Sequence, residues 1–382
     1  MWSRFKTLDP WLYILPIFLA SAGIAGIYSI TYASTDSSRL LSDLVIKQII
    51  FAIIGVLVLF IITFIDYRSL KAWAYWIYLL SLVSIIVLAI LPASSSFVIE
   101  EFGARRWFSI FGFQFQPSEI VKIGTIISLS AIFSKVHGTL RWRRLLTALV
   151  IVVVPFLIII KQPDLGTGII LLFSSAIIFI ISNLQKSQKI ILSILIVLSI
   201  MAVIFAYNRV SPFSMILKDY QRQRIATFIN PDTDPKHQGY NILQSVIAVG
   251  SGGLFGKGLG FGSQSQLYFL PVAHSDFIFA SLAESWGFVG AIGIIIIYGL
   301  LLSRIIIAIR IAKDRFGMFL ASGIFSILFF QILINIGMNI RLFPVTGIPL
   351  PLLSYGGTSM ISTFFSIGII QSIILRYKKI NF

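Results

Sequence analysis

Asp276 stands where a polar stretch, Leu270-Pro271-Val272-Ala273-His274-Ser275, gives way to a long apolar run, so the sequence puts a carboxylate at the mouth of a helix. Such an acid can cap the helix and complement its dipole, for about 1 kcal/mol. It can also act as a general base when a hydroxyl group comes within hydrogen-bond reach. Glu284 follows eight residues on, which is about 12 Å deeper along the same helix by its rise. An unpaired carboxylate is costly there and must face the protein interior. Glu119 precedes Lys122 by three residues behind the helix-start signal Pro117-Ser118. That spacing shares one helix face and lets the two charges neutralise each other inside a bilayer. Asp164, in Gln162-Pro163-Asp164-Leu165-Gly166-Thr167-Gly168, reads as a helix cap. Glycines crowd at Gly250-Ser251-Gly252-Gly253 and Gly256-Lys257-Gly258. Neither nucleotide motif is satisfied, because Phe255 interrupts G-x-G-x-x-G and Lys257 precedes Gly where a P-loop needs Ser or Thr. What survives is a flexible backbone with a Lys to hand, able to approach a phosphate closely.

The elements that must position these groups follow from composition. The 382 residues are 57% hydrophobic and 12% charged, with mean hydropathy +0.96, whereas soluble domains carry about twice that charged share. The expectation is an all-α integral membrane protein. Spanning helices need about 20 apolar residues each, and continuous hydrophobicity yields ten: 11–32, 45–65, 73–92, 118–135, 145–160, 168–182, 190–207, 276–302, 317–338 and 358–375. The chain 1–382 thus reads as one bundle of ten transmembrane helices, with 208–275 as a long, structured extracytoplasmic loop. The first span contains Pro16 and lacks a small-residue cleavage site, so it is expected to stay in the membrane. With no Cys, disulfides, thiolate nucleophiles and Cys-ligated metal sites are excluded. The net charge of +16 is assigned to topology and anionic lipid rather than to nucleic acid. A cytoplasmic N-terminus gives seventeen Lys and Arg in cytoplasmic segments. The short loops opposite hold five, Arg39, Arg105, Arg106, Lys161 and Arg341. Both termini therefore point inward.

Within the long loop, 215–229 reads as a basic helix carrying Lys218, Arg222 and Arg224. After the turn Asn230-Pro231-Asp232, helical spacing of Tyr240, Leu243, Gln244 and Ile247 suits a segment lying in the membrane interface. From Asn339 to Gly357 the prolines Pro344, Pro349 and Pro351 and the pair Gly356-Gly357 forbid a regular helix. At membrane depth such backbone is tolerated only under protein or beside a wet cavity.

Five segments, Gly103–Trp107, Gln116–Lys122, Asn230–Gly239, His274–Phe279 and Pro349–Gly357, resemble the SEDS family (shape, elongation, division, sporulation) in order and over nearly the whole chain. Gly239-Tyr240-Asn241-Ile242-Leu243-Gln244-Ser245, Gly256-Lys257-Gly258, Gln264-Ser265-Gln266-Leu267 and Asn335-Ile336-Gly337-Met338 look like its elongation members, the division members being close relatives. Two departures are mild. Ser275 stands where Thr is common, and Ser285-Trp286 stands where a second acid and Leu are usual. The resemblance implies a peptidoglycan glycosyltransferase polymerising lipid II at the outer face of the bacterial inner membrane. It also implies a class B penicillin-binding transpeptidase and other elongation-complex membrane proteins as partners.

That chemistry needs a base for an acceptor hydroxyl and positive groups for a diphosphate, at a site that reaches lipid. Asp276 is the candidate catalytic base, deprotonating a GlcNAc 4-hydroxyl that displaces undecaprenyl diphosphate with inversion. Alternatively, Asp276 holds a divalent cation, Mg or Mn, on the diphosphate. Lys47, Arg105, Arg106, Lys122, Arg222, Lys257 and Arg341 are candidate phosphate binders, Arg as a bidentate fork and Lys as a point charge. Glu119, His274, Ser275, Glu284 and Ser354 are supporting candidates. His274 reads as a hydrogen-bonding neighbour rather than a second base, and His137 and His237 lie far from the others. A lipid II flippase would also use ten helices and broken segments, but its polar groups belong near the midplane, whereas these gather at the outer mouth. A non-catalytic scaffold would leave Asp276 dispensable. The orientation predicts that a single Cys placed at Ser265 is reached from outside the cell.

Overall fold

The computed structural model describes residues 8–377 apart from 33–40, 93–94, 96, 102–103, 111–112, 137, 211–216, 236–237 and 268. Arg39, Gly103, His137 and His237 therefore lie outside the described residues. Seven apolar helices come first: α1 (Trp11–Thr31), α2 (Asp43–Phe64), α3 (Tyr67–Ile90), α4 (Pro117–Ser134), α5 (Trp142–Lys161), α6 (Leu165–Ile181) and α7 (Lys186–Tyr207). The loop region holds α8 (Asp219–Ile229), α9 (Gln238–Ser251) and α10 (Ser263–Gln266), before α11 (Ile278–Ile311), α12 (Arg315–Asn339) and α13 (Gly357–Leu375). Among the described residues nine of these are long and apolar enough to span a membrane, and the 17-residue α6 is the tenth apolar helix. Acids cap three of their starts, the expected Asp164 and also Asp66 and Asp314, which accept from the backbone N–H of Thr167, Arg68 and Gly317. The first and last described helices have their outer ends on one face, where Gln371 Nε2 donates to Asp9 O (3.1 Å). The region 208–275 lies on the opposite face, here called the loop face. α4, α12 and α13 are largely buried, whereas α7 is almost wholly exposed, as a lipid-facing helix should be.

The 93–118 stretch is more than a connector. Its β-branched and aromatic residues form a three-stranded antiparallel meander, β1 (Val98–Glu101), β2 (Ala104–Ile110) and β3 (Phe113–Phe115). Val98 pairs with Phe108 and Phe108 with Phe115, the last two rings stacking at 6.5 Å. The chain then enters α4, where Gln116 N donates to Thr358 Oγ1 (3.0 Å) at the start of α13.

α11 has 34 residues, about 51 Å of helix, and it is two limbs joined at Gly287 (φ 68°, ψ −167°). The second limb runs antiparallel to α1, since Arg304 reaches Asp9 (3.7 Å) and the Trp11 ring near the termini. The first limb runs the other way. Leu282 lies against Gly26, and three residues further on in both segments Ser285 Oγ meets Ser29 Oγ (3.2 Å). Against α12, Asp276 O accepts from Asn335 Nδ2 (3.0 Å). Ala280 N donates to Asn339 Oδ1 (3.1 Å), one turn nearer the loop face. Residues 276–286 thus rise toward the loop face, and Glu284 lies above Asp276, not below it. The expected order is reversed because hydropathy reads an ascending and a descending limb as one run. The donors freed at the break are taken up by the neighbouring loop: Phe288 N donates to Gly253 O (2.8 Å) and Val289 N to Leu254 O (3.1 Å).

The Glu284 carboxylate, fully buried, fastens that loop. It accepts from Lys257 Nζ (2.8 Å), Gln264 N (3.0 Å) and Ser265 Oγ (2.9 Å). A Cβ at Gly262 would lie 2.6 Å from it, so only glycine lets the backbone pass. Ser265 is 1% exposed and hence unsuited to report on orientation.

Candidate active site

Two segments dip from the loop face and meet at Asp276. One is 270–277, leading into the rising limb of α11. The other is 340–356, whose prolines keep it out of helix and whose Ile348, Leu350, Leu352 and Leu353 are buried. Buried backbone outside helices needs partners, and each segment supplies them to the other. Tyr355 N donates to His274 O (2.8 Å). Ser354 Oγ donates to Ser275 O (2.5 Å) and accepts from Leu350 N (2.8 Å). Asn335 Nδ2 donates to Ile348 O (2.7 Å), Gln48 Nε2 to Ser354 O (3.0 Å), and the Tyr298 hydroxyl to Pro351 O. Gly347, at φ 72°, would bring a Cβ within 3.5 Å of Asp276 Oδ2.

The backbone carbonyl of Asp276 is held by Asn335 and Asn339, while its Oδ1 accepts from Ser275 Oγ (3.0 Å). Burial pushes the Asp276 carboxyl above its ordinary pKa; the Ser275 hydrogen bond and the charges of Arg224 and Arg106 act against that shift, and Asp164 adds to it. Arg106, on β2, donates through Nε to Gln162 O (3.3 Å) and through a terminal nitrogen to Pro163 O, with Trp107 beneath it at 5.9 Å. Arg224, on α8, donates to Thr346 O (3.2 Å), and its Nε is buried without a partner among the described residues. Burial, then repulsion from Arg106, pushes the Arg224 guanidinium below its ordinary pKa; Tyr220, Asp276 and Asp164 act in the other direction. Asp164 caps α6 as expected and does more, accepting from Gln116 Nε2 (3.2 Å) and Ser118 Oγ (3.4 Å).

Of the residues singled out in the sequence, Asp276, Ser275, His274, Ser354 and Arg106 come together. His274 is half-buried, its ring edge-on to Tyr355 at 5.7 Å, and burial lowers its pKa. The others are engaged elsewhere. Arg105 donates to Leu91 O (2.8 Å), Arg222 pairs with Asp219 (3.1 Å), and Lys257 is bound to Glu284. Arg341 is exposed, and Lys47 is half-buried with no hydrogen bond to a described residue. Glu119 and Lys122 form a buried pair at 2.7 Å, with Ser362 Oγ on the other carboxylate oxygen (3.2 Å). Ser362 also lines an apolar cavity of about 540 Å³ between α2, α3, α4 and α13, roofed by Phe113–Phe115. The cavity lies beside the Asp276 cluster, joined to it through Thr358, Gln116 and Asp164.

Arg224 was hidden among three basic residues of one helix. Gln221, Arg224 and Thr227 recur every three residues, and Gln221 and Thr227 are buried, so a polar inward face was the available signal. A divalent cation at Asp276 would depend on the oxygens of a diphosphate for most of its ligands. Among the described residues no three His, Asp or Glu side chains gather as ligands, both Asp164 oxygens are already taken, and two guanidiniums stand nearby.

The family model for cell cycle proteins of the FtsW, RodA and SpoVE type matches residues 10–379. The chain belongs to this family, the SEDS proteins. Among relatives of this SEDS chain, the peptidoglycan glycosyltransferase MrdB of Escherichia coli strain K12 is 37% identical over 294 residues, 77% of each sequence. Stage V sporulation protein E of Bacillus subtilis strain 168 is 34% identical over 382 residues, covering 99% of this chain and 100% of its own. A chain from a structure entitled as the coordination of polymerization and crosslinking by a peptidoglycan synthase complex superposes with TM-score 0.77 and 26% identity, covering 96% and 97%. The crystal structure of Thermus thermophilus rod shape determining protein RodA gives 0.66 and 26%, covering 96% of both.

Proposed function

We propose that this SEDS protein is a peptidoglycan glycosyltransferase that polymerises lipid II during cell elongation. The observation that carries the reading is one ionisable carboxylate, Asp276, fixed through its own backbone at the meeting of two dipping segments and faced by Arg106 and Arg224. Asp276 takes the proton of a GlcNAc 4-hydroxyl, whose oxygen forms the new bond to the anomeric carbon of a second lipid II. The anomeric carbon–oxygen bond to undecaprenyl diphosphate breaks with inversion, and the electron pair leaves with the diphosphate. Oriented donors and guanidiniums aimed at developing charge account for much of such an acceleration. Arg106 supports the diphosphate side. Glu119 and Lys122 hold α4 beneath the cluster.

The loop face is outside the cell in this reading, with both termini cytoplasmic in the inner membrane, supported by the excess of Lys and Arg on the termini side. A class B penicillin-binding transpeptidase is the partner that would crosslink the strands made here. Purified protein reconstituted with its cognate transpeptidase should convert lipid II into glycan strands resolved on gels. If no polymer forms while lipid II crosses vesicle membranes, the protein is a flippase. Orientation is checked separately, because the chain has no Cys and Phe255 is 82% exposed at the tip of the Glu284-anchored loop. Phe255→Cys should react with an impermeant maleimide in intact cells, and reaction only after permeabilisation would reverse the topology.

A further inference from the structure

On the face opposite the loop face, the turns between α4 and α5 and between α6 and α7 meet and bring a cluster of cations together. Lys135, Arg141, Arg143 and Arg144 come from the first turn and Lys186 and Lys189 from the second, all of them exposed. The turns are fastened to each other through the buried Leu140. Its N–H donates to Asn183 O (3.0 Å), and its carbonyl accepts from the buried Gln188 Nε2 (2.8 Å). Nothing nearby neutralises the cluster. No Asp or Glu occurs in 120–163 or 165–218, and Asp164 caps α6 at its other end. The three acids described on this face, Asp9, Asp66 and Asp314, are paired with Arg304, Arg376 and Arg68. None of the six cations takes part in an ion pair among the described residues. The helices themselves gain nothing from them. Arg143, Arg144, Lys186 and Lys189 lie in the first turns of α5 and α7, where the dipole favours acids and where α3 and α12 on the same face carry Asp caps.

What borders the cluster identifies its partner. Trp142 begins α5 and is exposed, and Leu146, Val150, Val153 and Leu157 continue its exposed row at helical spacing. On α7, Ile190 and Ile194 stand one and two turns beyond Lys186 and are exposed as well. We infer that the joined starts of α5 and α7 form a site for an anionic phospholipid, its phosphate among Arg141, Arg143, Lys186 and Lys189 and its acyl chains along the two apolar rows. A phospholipid presents charge and hydrocarbon in that order across a membrane interface, and clustered Lys and Arg attract its anionic forms. An acidic soluble protein would meet the cations and leave the apolar rows uncovered. Topology alone asks only that cations lie on this face. It does not ask for two turns to be joined by buried bonds, across 48 residues of sequence, into one acid-free cluster. The site lies away from Asp276 and does not rest on the polymerase reading.

The test uses the full-length protein, purified in neutral detergent, stripped of lipid and titrated with phosphatidylglycerol or phosphatidylcholine, with bound lipid counted by native mass spectrometry. Wild type should hold phosphatidylglycerol about tenfold more tightly than phosphatidylcholine, and removing two cations, Arg143→Gln with Lys186→Gln, should erase most of that difference. Arg310→Gln with Lys313→Gln removes two exposed cations from another part of the same face and should bind as wild type. Glycerol 3-phosphate, which has the phosphate without the chains, should not displace phosphatidylglycerol at equal concentration. Thermal melts check that both double variants are folded, and the comparison of the two lipids on wild type stands without any variant. Equal affinity of wild type for the two lipids, wild-type preference in the first double variant, or the same loss in both double variants overturns the site. Displacement by glycerol 3-phosphate overturns the lipid as its ligand.

Discussion

Asp276→Asn is expected to reduce lipid II polymerisation by at least about 100-fold, the lower end of what a positioned general base contributes, with little change in melting temperature. The two expectations separate because the residue's structural bonds run through its backbone. Asn335 and Asn339 donate to the Asp276 carbonyl, which the substitution leaves in place, and an Asn Oδ1 still accepts from Ser275 Oγ. Only the ability to take a proton and the negative charge beside Arg224 and Arg106 are lost. Glycan strands measured on gels with the transpeptidase present give the readout. Polymerisation above about a tenth of wild type by a folded variant refutes the base assignment and leaves Asp276 a structural residue, one whose side chain does not cap α11.

Legibility from sequence divided along a physical line. Ten apolar runs, the cap at Asp164 and the Glu119–Lys122 pair could be read because each depends on neighbours within one helix, where spacing fixes geometry. The descent of 340–356 was equally open, because three prolines forbid an alternative. What sequence did not disclose was direction and long-range meeting. Hydropathy is blind to the reversal at Gly287, since both limbs are apolar, so Glu284 was expected below Asp276 and stands above it. The basic residues were equally ambiguous. Arg105 and Arg106 are adjacent on a strand and point to opposite faces, one to the Leu91 carbonyl and the other toward Asp276. Arg222 and Arg224 divide in the same way on α8. Which member of each pair enters the site depends on the sheet and the helix being docked, and that information lies in contacts more than fifty residues away in sequence.

Lys122→Met should be among the most destabilising single substitutions in the protein, on the order of 3–5 kcal/mol, because it strands the Glu119 carboxylate in the core. The pair is 2.7 Å apart with side chains 2% and 4% exposed, so neither charge has water to fall back on. Among the described residues Ser362 then remains as a donor to the Glu119 carboxylate, through Oε2 (3.2 Å). Glu119→Gln with Lys122→Met removes both charges and nearly keeps the volumes, leaving in the core a neutral amide whose carbonyl can still accept from Ser362 in place of an unpaired charge. The double variant should therefore recover most of the loss in thermal melts, giving a coupling energy well beyond 1 kcal/mol in a double-mutant cycle. Additive losses would mean that the two charges stabilise α4 separately. The same cycle read on polymerisation distinguishes support from participation. If the double variant melts like wild type yet makes no glycan, the pair does more than hold α4 against α13, and the apolar cavity of about 540 Å³ lined by its neighbours Ile120, Ile123 and Ser362 makes contact with the lipid substrate the next question.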